Sequence, residues 1–271
     1  MLLSVHHIDS LDVPELAPYR TMRRQEEHRK QGLFVAEGEK VVRRLLESTF
    51  SVVSVLLPEK WFQELAPLIE SRPEGIRAYI ASKETLERLT GFSMYQGVLA
   101  VGKVPPPVPL SALLQSPSPR LLVAVDGLSS AENLGVVVRN CAAFGVHGLL
   151  VGETSSSPFL RRAVRSSMGA IFRLPVIEVA RLVETLQELR RQGVRRIAAH
   201  PHVEGRTLGQ ARLDGDCCLV FGSEGYGVTA AVLAVCDEAV AIPMQNGVDS
   251  LNVGSASAAF LYEAARQRGG A

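Results

Sequence analysis

Three stretches of the 271-residue chain gather glycine and short polar side chains between apolar flanks, and each holds a residue able to do chemistry. The first, at 126–139, reads DGLSSAENLGVVVR. An apolar run ends at Asp126, a polar turn follows, and Asn133 is placed to cap a helix carrying Arg139. Arg139 comes about a turn and a half into that helix, among the mostly apolar VVVRNCAAF. A guanidinium there needs a partner, and the pattern leaves open a structural carboxylate or the phosphate or ribose of a ligand. The second stretch, GSEGYG at 222–227, follows the strand-like CCLVF. Its glycines permit close backbone approach to a ligand, and a tight turn would explain them too, though not Glu224 among them. The spacing is G-x-x-G-x-G rather than the G-x-G-x-x-G of dinucleotide folds, which speaks against a nicotinamide cofactor. The third stretch, IPMQNGVDSLNVGSA at 242–256, sets Leu251, Val253, Gly254 and Ala256 around Asn252. Such a loop can fold closely around a flat adenosyl group, and Ser250 alone reads equally well as a helix cap.

Other reactive side chains form no convincing constellation. His200 and His202 flank Pro201 without a third ligand at metal spacing, so the pair reads as solvent-facing, and His147 has no assigned role. Cys141, Cys217, Cys218 and Cys236 lie in apolar segments without ligand spacing. They read as buried free thiols, which fits a reducing cytoplasm. No Ser-His-Asp order stands out, and no metal is expected.

The three stretches need elements to hold them. Residues 121–125 form a near-continuous apolar run, as in a strand of a parallel sheet covered on both faces. Further strands are expected at 148–151, 196–199, 218–221 and 239–242, with helices at 133–144, 159–167, 180–192 and 251–267. Strands alternating with helices predict a parallel sheet flanked by helices, whose ligands bind at the strand carboxyl ends. All three stretches follow strands in this way. Upstream, strands at 33–36, 51–57, 78–81 and 97–101 alternate with helices at 39–47, 61–70 and 83–89. Between the halves runs VPPPVPLSALLQSPSPR at 104–120, whose prolines cannot donate the bonds of a helix or central strand. The expected division is an N-terminal α/β domain at 1–105, a Pro/Ser-rich linker at 106–119 and a C-terminal α/β domain at 120–271.

With 46% hydrophobic residues the chain can bury a sizeable core, while its apolar runs are too short to span a bilayer. The first residues lack the pattern of a signal peptide. Net charge is only +1, from 29 basic and 28 acidic residues, but the arginines cluster. Arg20, Arg23, Arg24, Arg29 and Lys30 crowd one stretch; Arg161, Arg162, Arg165 and Arg173 occupy another that holds no acidic residue. Either cluster can be a phosphate-binding surface or a solvated helix face.

Taken in order, N-L-G-x-x-x-R at 133–139, GSEGYG at 222–227 and IPM…SLNVGSA at 242–256 resemble the three signature motifs of the SpoU (TrmH-like) family of RNA 2′-O-ribose methyltransferases, in the SPOUT superfamily. RSSMGAIFRLPV at 165–176 is similar to the family's S-x-G-A segment. FVAEGEKVVRRLLES at 34–48 and MYQGVLAV at 94–101 resemble its companion RNA-binding domain, so the likeness covers nearly the whole chain. The resemblance implies a catalytic domain with a trefoil knot, an exception among folds, a ribosomal-protein-like N-terminal domain, a homodimer and S-adenosylmethionine as methyl donor. It implies methylation of ribosomal or transfer RNA in the cytoplasm, with Asn133, Arg139, Glu224, Ser250 and Asn252 as the catalytic and RNA-orienting set. Cofactor contacts fall to Phe221, Gly222, Ser223, Gly227, Ile242, Met244 and Leu251, and RNA contacts to Arg23, Arg24, Arg29, Lys30 and Arg165.

The chain departs from the family's pattern at Ser130 and Ala131, where Asp-Pro is usual, and at Ser223, where Asn is common. A hydroxyl still donates and accepts, so altered loop packing is expected rather than lost activity. The family's favoured base is the arginine matched by Arg139, yet a guanidinium stays protonated in proteins. The physical reading is that Arg139 grips the phosphate beside the target ribose, with Glu224 orienting it. The competing readings are a non-catalytic RNA-binding protein of the same fold, motivated by the three departures, and a nucleotide-dependent oxidoreductase, which the glycine spacing disfavours.

Overall fold

The computed structural model describes residues 3–10, 12–22, 25–90, 97–201 and 206–269, with the backbone alone at 25, 26, 29, 89 and 90. Arg23, Arg24, His202, residues 94–96 and the Arg29 side chain therefore lie outside the described residues. The chain divides into two compact units, Met1–Pro106 with Phe159–Arg173, and Pro107–Pro158 with Leu174–Ala271.

The first unit holds a five-stranded sheet of β1 (Leu3–His7), β2 (Leu33–Glu37), β3 (Val52–Leu57), β4 (Ile76–Ile80) and β5 (Leu99–Lys103). Their order is β1-β4-β3-β5-β2, with β4 parallel to β1 and β3, and β5 antiparallel to β3 and β2. β1 is not foreseen from the sequence. It is an edge strand, four of its five residues are exposed, and LSVHH carries no buried alternation to reveal it. Residues 159–173, expected in the second domain, pack with this unit instead. Arg161 and Arg165 both pair with Glu37, which is buried at the end of β2, the latter at 2.9 Å. The rings of Phe159 and Phe172 lie 5.8 and 5.7 Å from that of Phe34. The second arginine cluster thus finds its acids in distant sequence, including Glu47 at 4.0 Å from Arg173. Arg165, an expected RNA contact, shares a structural carboxylate, while Lys30 stands exposed on the helix Gln25–Gln31.

The second unit holds a six-stranded sheet of β6 (Leu121–Asp126), β7 (Gly148–Val151), β8 (Val176–Glu178), β9 (Arg195–Ala199), β10 (Cys217–Gly222) and β11 (Glu238–Val240). The order is β11-β9-β10-β6-β7-β8 and every pair is parallel. β8, only three residues long, escapes any periodicity argument. The Pro/Ser-rich stretch is not a free spacer. It contains the helix Leu110–Leu114, whose Leu113 is buried in this unit's core, and Ser118 and Arg120 bind the Asp216 carboxylate at 2.6 to 2.8 Å.

Parallel pairing sends every strand's carboxyl end the same way, and the register aligns those ends. Asp126 pairs with Gly222, Phe221 with Ala199, and Ala199 with Val240. The chain runs outward from β6 through β7 and β8, then crosses to β9 on the far side of β10. The order reverses beside β6, which is where open parallel sheets leave a crevice. The loops after β6, β9, β10 and β11 open there together.

The four cysteines are free, three of them buried and Cys236 half-buried. Burial pushes their thiols up, Cys236 to about 11, which keeps them protonated and unreactive near neutral pH. No described helix is long and apolar enough to cross a membrane.

Candidate active site

The helix Ala131–Ala143 begins one turn earlier than the sequence suggests, because Ser130 rather than Asn133 is its N-cap. The Ser130 hydroxyl accepts from the Asn133 amide N–H at 3.2 Å. This accounts for the departure from Asp-Pro: a serine oxygen replaces the carboxylate cap, and Ala131 takes a first-turn position that proline or alanine can fill. Ser130→Ala is expected to destabilise the second unit by about 1 kcal/mol, whereas Ser130→Asp should match or exceed the native serine, its charge favouring the helix N-terminus. Thermal denaturation of the three proteins checks this; equal melting of the alanine and native chains would refute the capping role.

Freed from capping, the Asn133 side chain reaches across the site. Its Nδ2 donates to Glu224 Oε1, and its Oδ1 accepts from Asn252 Nδ2 at 3.1 Å. A carboxamide is one of the few side chains that donates and accepts at once, so this asparagine ties the second and third loops to the first. Asn252 also works twice. It, and not Ser250, caps the final helix Val253–Gln267, its Oδ1 accepting from Gly254 N–H at 2.8 Å.

Asn140, unnoticed in the sequence, locks the two helices beneath. Its Nδ2 donates to Gly254 O at 2.7 Å and Ser257 Oγ at 2.9 Å. A Cβ on Gly254 would stand 2.6 Å from Val136 Cγ1, so the close helix approach needs that glycine. The signal was present: an uncharged polar residue amid VVVRNCAAF, seven positions, or two helical turns, after Asn133. Arg139 lies six positions on, about 240° around the helix and off that face. It is exposed, its side chain makes no hydrogen bond or ion pair with a described residue, and it does not line the cavity described next. Both the structural salt bridge left open for it and its orientation by Glu224 are therefore corrected: Glu224 is held by Asn133.

The loop Ser223–Gly227 closes on itself, with Ser223 N–H donating to Gly227 O at 3.0 Å and Gly227 N–H to Ser223 O at 2.9 Å. Gly227 holds a positive φ of 68°. Asp126, buried at the end of β6, accepts from Thr229 N–H at 2.7 Å and fixes the loop's exit. Ser223, where the family often has asparagine, turns its hydroxyl inward to accept from Tyr226 N–H at 3.2 Å.

These loops surround a cavity of about 590 Å³. Phe221 and Gly222 from β10, with Ser223 and Gly227 of its loop, line one side. Ile242, Met244 and Leu251 from the loop after β11 line the other, so all seven expected cofactor contacts meet. Glu224 and Ser250 are also on the wall. Of the further lining residues, His200, Asp249 and Phe260 add chemistry that the sequence does not assign to the site. His200 belongs to the cavity rather than to open solvent, placed there by the carboxyl end of β9. Asp249 adds a carboxylate, and buried Phe260 packs edge-on to Phe221 at 5.6 Å. Strand-end position could have flagged His200; nothing local marks Phe260. Among the described residues no group of three or more His, Cys, Asp or Glu side chains is placed to hold a metal ion.

A parallel sheet with a cavity at its reversal point, walled by bare glycine backbone and apolar side chains, defines a nucleoside-binding α/β domain. Residues 120–262 match the model of the SpoU rRNA methylase family, and the chain belongs to that family. It is 34% identical over 272 residues to an uncharacterized tRNA/rRNA methyltransferase of Mycobacterium tuberculosis, covering 97% of this chain and 93% of the relative. It is 32% identical over 212 residues to a 23S rRNA (guanosine-2′-O-)-methyltransferase of Pectobacterium atrosepticum, covering 77% and 86%. The SpoU methyltransferase AviRb of Streptomyces viridochromogenes, solved in complex with the cofactor AdoMet, superposes with a TM-score of 0.82 at 25% identity, over 94% of this chain and 98% of that one.

Proposed function

We propose that the protein transfers the methyl group of S-adenosylmethionine to a ribose 2′-hydroxyl of ribosomal or transfer RNA. The observation that carries this reading is the Asn133–Glu224–Asn252 network at the cavity that the expected cofactor contacts line. The cavity residues fit the cofactor. Phe221, Ile242 and Leu251 offer apolar faces to an adenine, Gly222 and Gly227 leave backbone bare, and Glu224 and Asp249 suit its positive charges. Bound there, S-adenosylmethionine supplies a methyl on a sulfonium, a leaving group that needs no protonation.

The chain's own residues must then hold the hydroxyl and compensate for its proton. The Glu224 carboxylate, steadied by Asn133, accepts the hydrogen bond of the 2′-hydroxyl and takes its proton as the oxygen receives the methyl. Asn252 and Ser250 position the sugar from the third loop. Arg139 grips the adjacent phosphate, for which a planar two-pronged donor is suited. Holding the hydroxyl in line with the methyl contributes several kcal/mol by removing orientational freedom before the reaction, on the order of 7–11 at best. Lys30 and Arg165 are the described members of the proposed RNA-contacting set. A homodimer with knotted threading, working in the cytoplasm, completes the reading; Tyr262, 54% exposed and edge-on to Phe144, is a surface such pairing would cover.

The test is transfer of labelled methyl from S-adenosylmethionine to RNA from cells lacking the gene, with the modified nucleotide mapped by resistance to alkaline cleavage. A new 2′-O-methyl ribose is expected. Label on a base, or binding of RNA without transfer, would instead favour another target atom or a non-catalytic binder.

A further inference from the structure

Five large apolar or aromatic side chains are exposed among the described residues, and three of them, Tyr226, Val248 and Leu251, lie on the loops after β10 and β11. Tyr226 is the extreme case at 93% exposed, yet it lines the cavity beside Glu224. Its backbone is not loose. The paired bonds between Ser223 and Gly227 close the loop, and Tyr226 N–H donates to Ser223 Oγ at 3.2 Å. Its phenol makes no hydrogen bond to a described residue. A large ring is thus presented to solvent on a preformed loop, at the mouth of a reaction site, with no described residue covering it.

We infer that Tyr226 is a stacking platform for an unpaired base of the substrate RNA, holding that base flat at the cavity mouth while the Asn133–Glu224–Asn252 network addresses a ribose. The inference rests on the reading of the site as an RNA methyltransferase. Charge favours a base over the phosphodiester as occupant, because the Glu224 and Asp249 carboxylates line the same cavity and repel a phosphate. Chemistry favours it as well. Single-stranded RNA is held largely by stacking of splayed bases on aromatic rings, and every base has a π-face to offer. A preformed loop lowers the ordering cost of the contact. Leu251, 42% exposed on the loop after β11, lines the same cavity.

The experiment compares Tyr226→Ala and Tyr226→Phe with the native chain, using total RNA from cells lacking the gene as substrate. Tyr226→Ala is expected to raise the apparent KM for RNA by roughly 5- to 100-fold, with the Kd for S-adenosylmethionine unchanged by calorimetry. Tyr226→Phe keeps the π-face and should stay within about twofold of native. The inference is overturned if Tyr226→Ala keeps the native KM, if Tyr226→Phe is as impaired as Tyr226→Ala, or if either variant loses cofactor affinity or changes oligomeric state. A native chain that methylates RNA while Tyr226→Ala does so equally well removes the stacking role alone. No transfer by the native chain removes the proposed function and this inference together.

Discussion

Replacing Arg139 with alanine is expected to lower methyl transfer by roughly 10²- to 10³-fold, the range for losing one electrostatic donor that positions the substrate, here through the phosphate beside the target ribose. Affinity for S-adenosylmethionine should be unchanged, because Arg139 neither lines the cavity nor bonds to a residue that does. Stability should change little as well, since an exposed guanidinium without an ion pair to a described residue holds little together. This separation of effects is the discriminating feature. Arg139→Lys sharpens it: lysine keeps the charge but loses the planar fork, so most of the activity should still be lost. Single-turnover rates, with calorimetry for the cofactor, check both variants. Full activity in the lysine variant would show that charge alone suffices; lost cofactor binding in the alanine variant would place Arg139 in the pocket.

Gly222→Ala should act through the opposite route. A Cβ there would lie 1.9 Å from Gly227 C and 2.1 Å from Val228 N, both backbone atoms that no rotamer change can move aside. The loop must open, and with it the wall formed by Ser223, Glu224 and Gly227. Cofactor binding is expected to weaken by at least 100-fold, and overpacking of this kind costs about 3 kcal/mol or more. Gly225→Ala is the control, because a Cβ at Gly225 meets nothing within 4 Å and its φ is an ordinary one. Calorimetry and thermal denaturation on the pair check the argument. A Gly222→Ala chain that binds S-adenosylmethionine as the native does would mean that loop closure is not what shapes the cavity.

Much of this was legible in the residues because the signals were local. The apolar run at 121–125 and the glycines at 222–227 each mark their structure within a few positions. The same holds for the seven residues proposed to contact the cofactor, which follow strand ends that any parallel sheet must bring to one edge. The pattern puts one cap at Asn133, where Ser130 serves, and leaves Ser250 open for the other, where Asn252 serves, because Ser and Asn are nearly equivalent as caps. Propensity cannot choose between two cap residues two or three positions apart. Tertiary bonds chose: Asn133 is claimed by Glu224 and Asn252, which leaves Ser130 to cap.

Other features had no local signal at all. Residues 159–173 look like more of the second domain until Glu37, over 120 positions earlier, supplies the missing carboxylate. β1 lacks alternation because an edge strand buries little. The order of residue types along the chain therefore settled the alternation of strands and helices and the glycine turns, consequences of periodicity and backbone freedom. Which groups touch was decided by strand register and helix rotation. Those depend on burial summed over the whole sheet, which no short window contains.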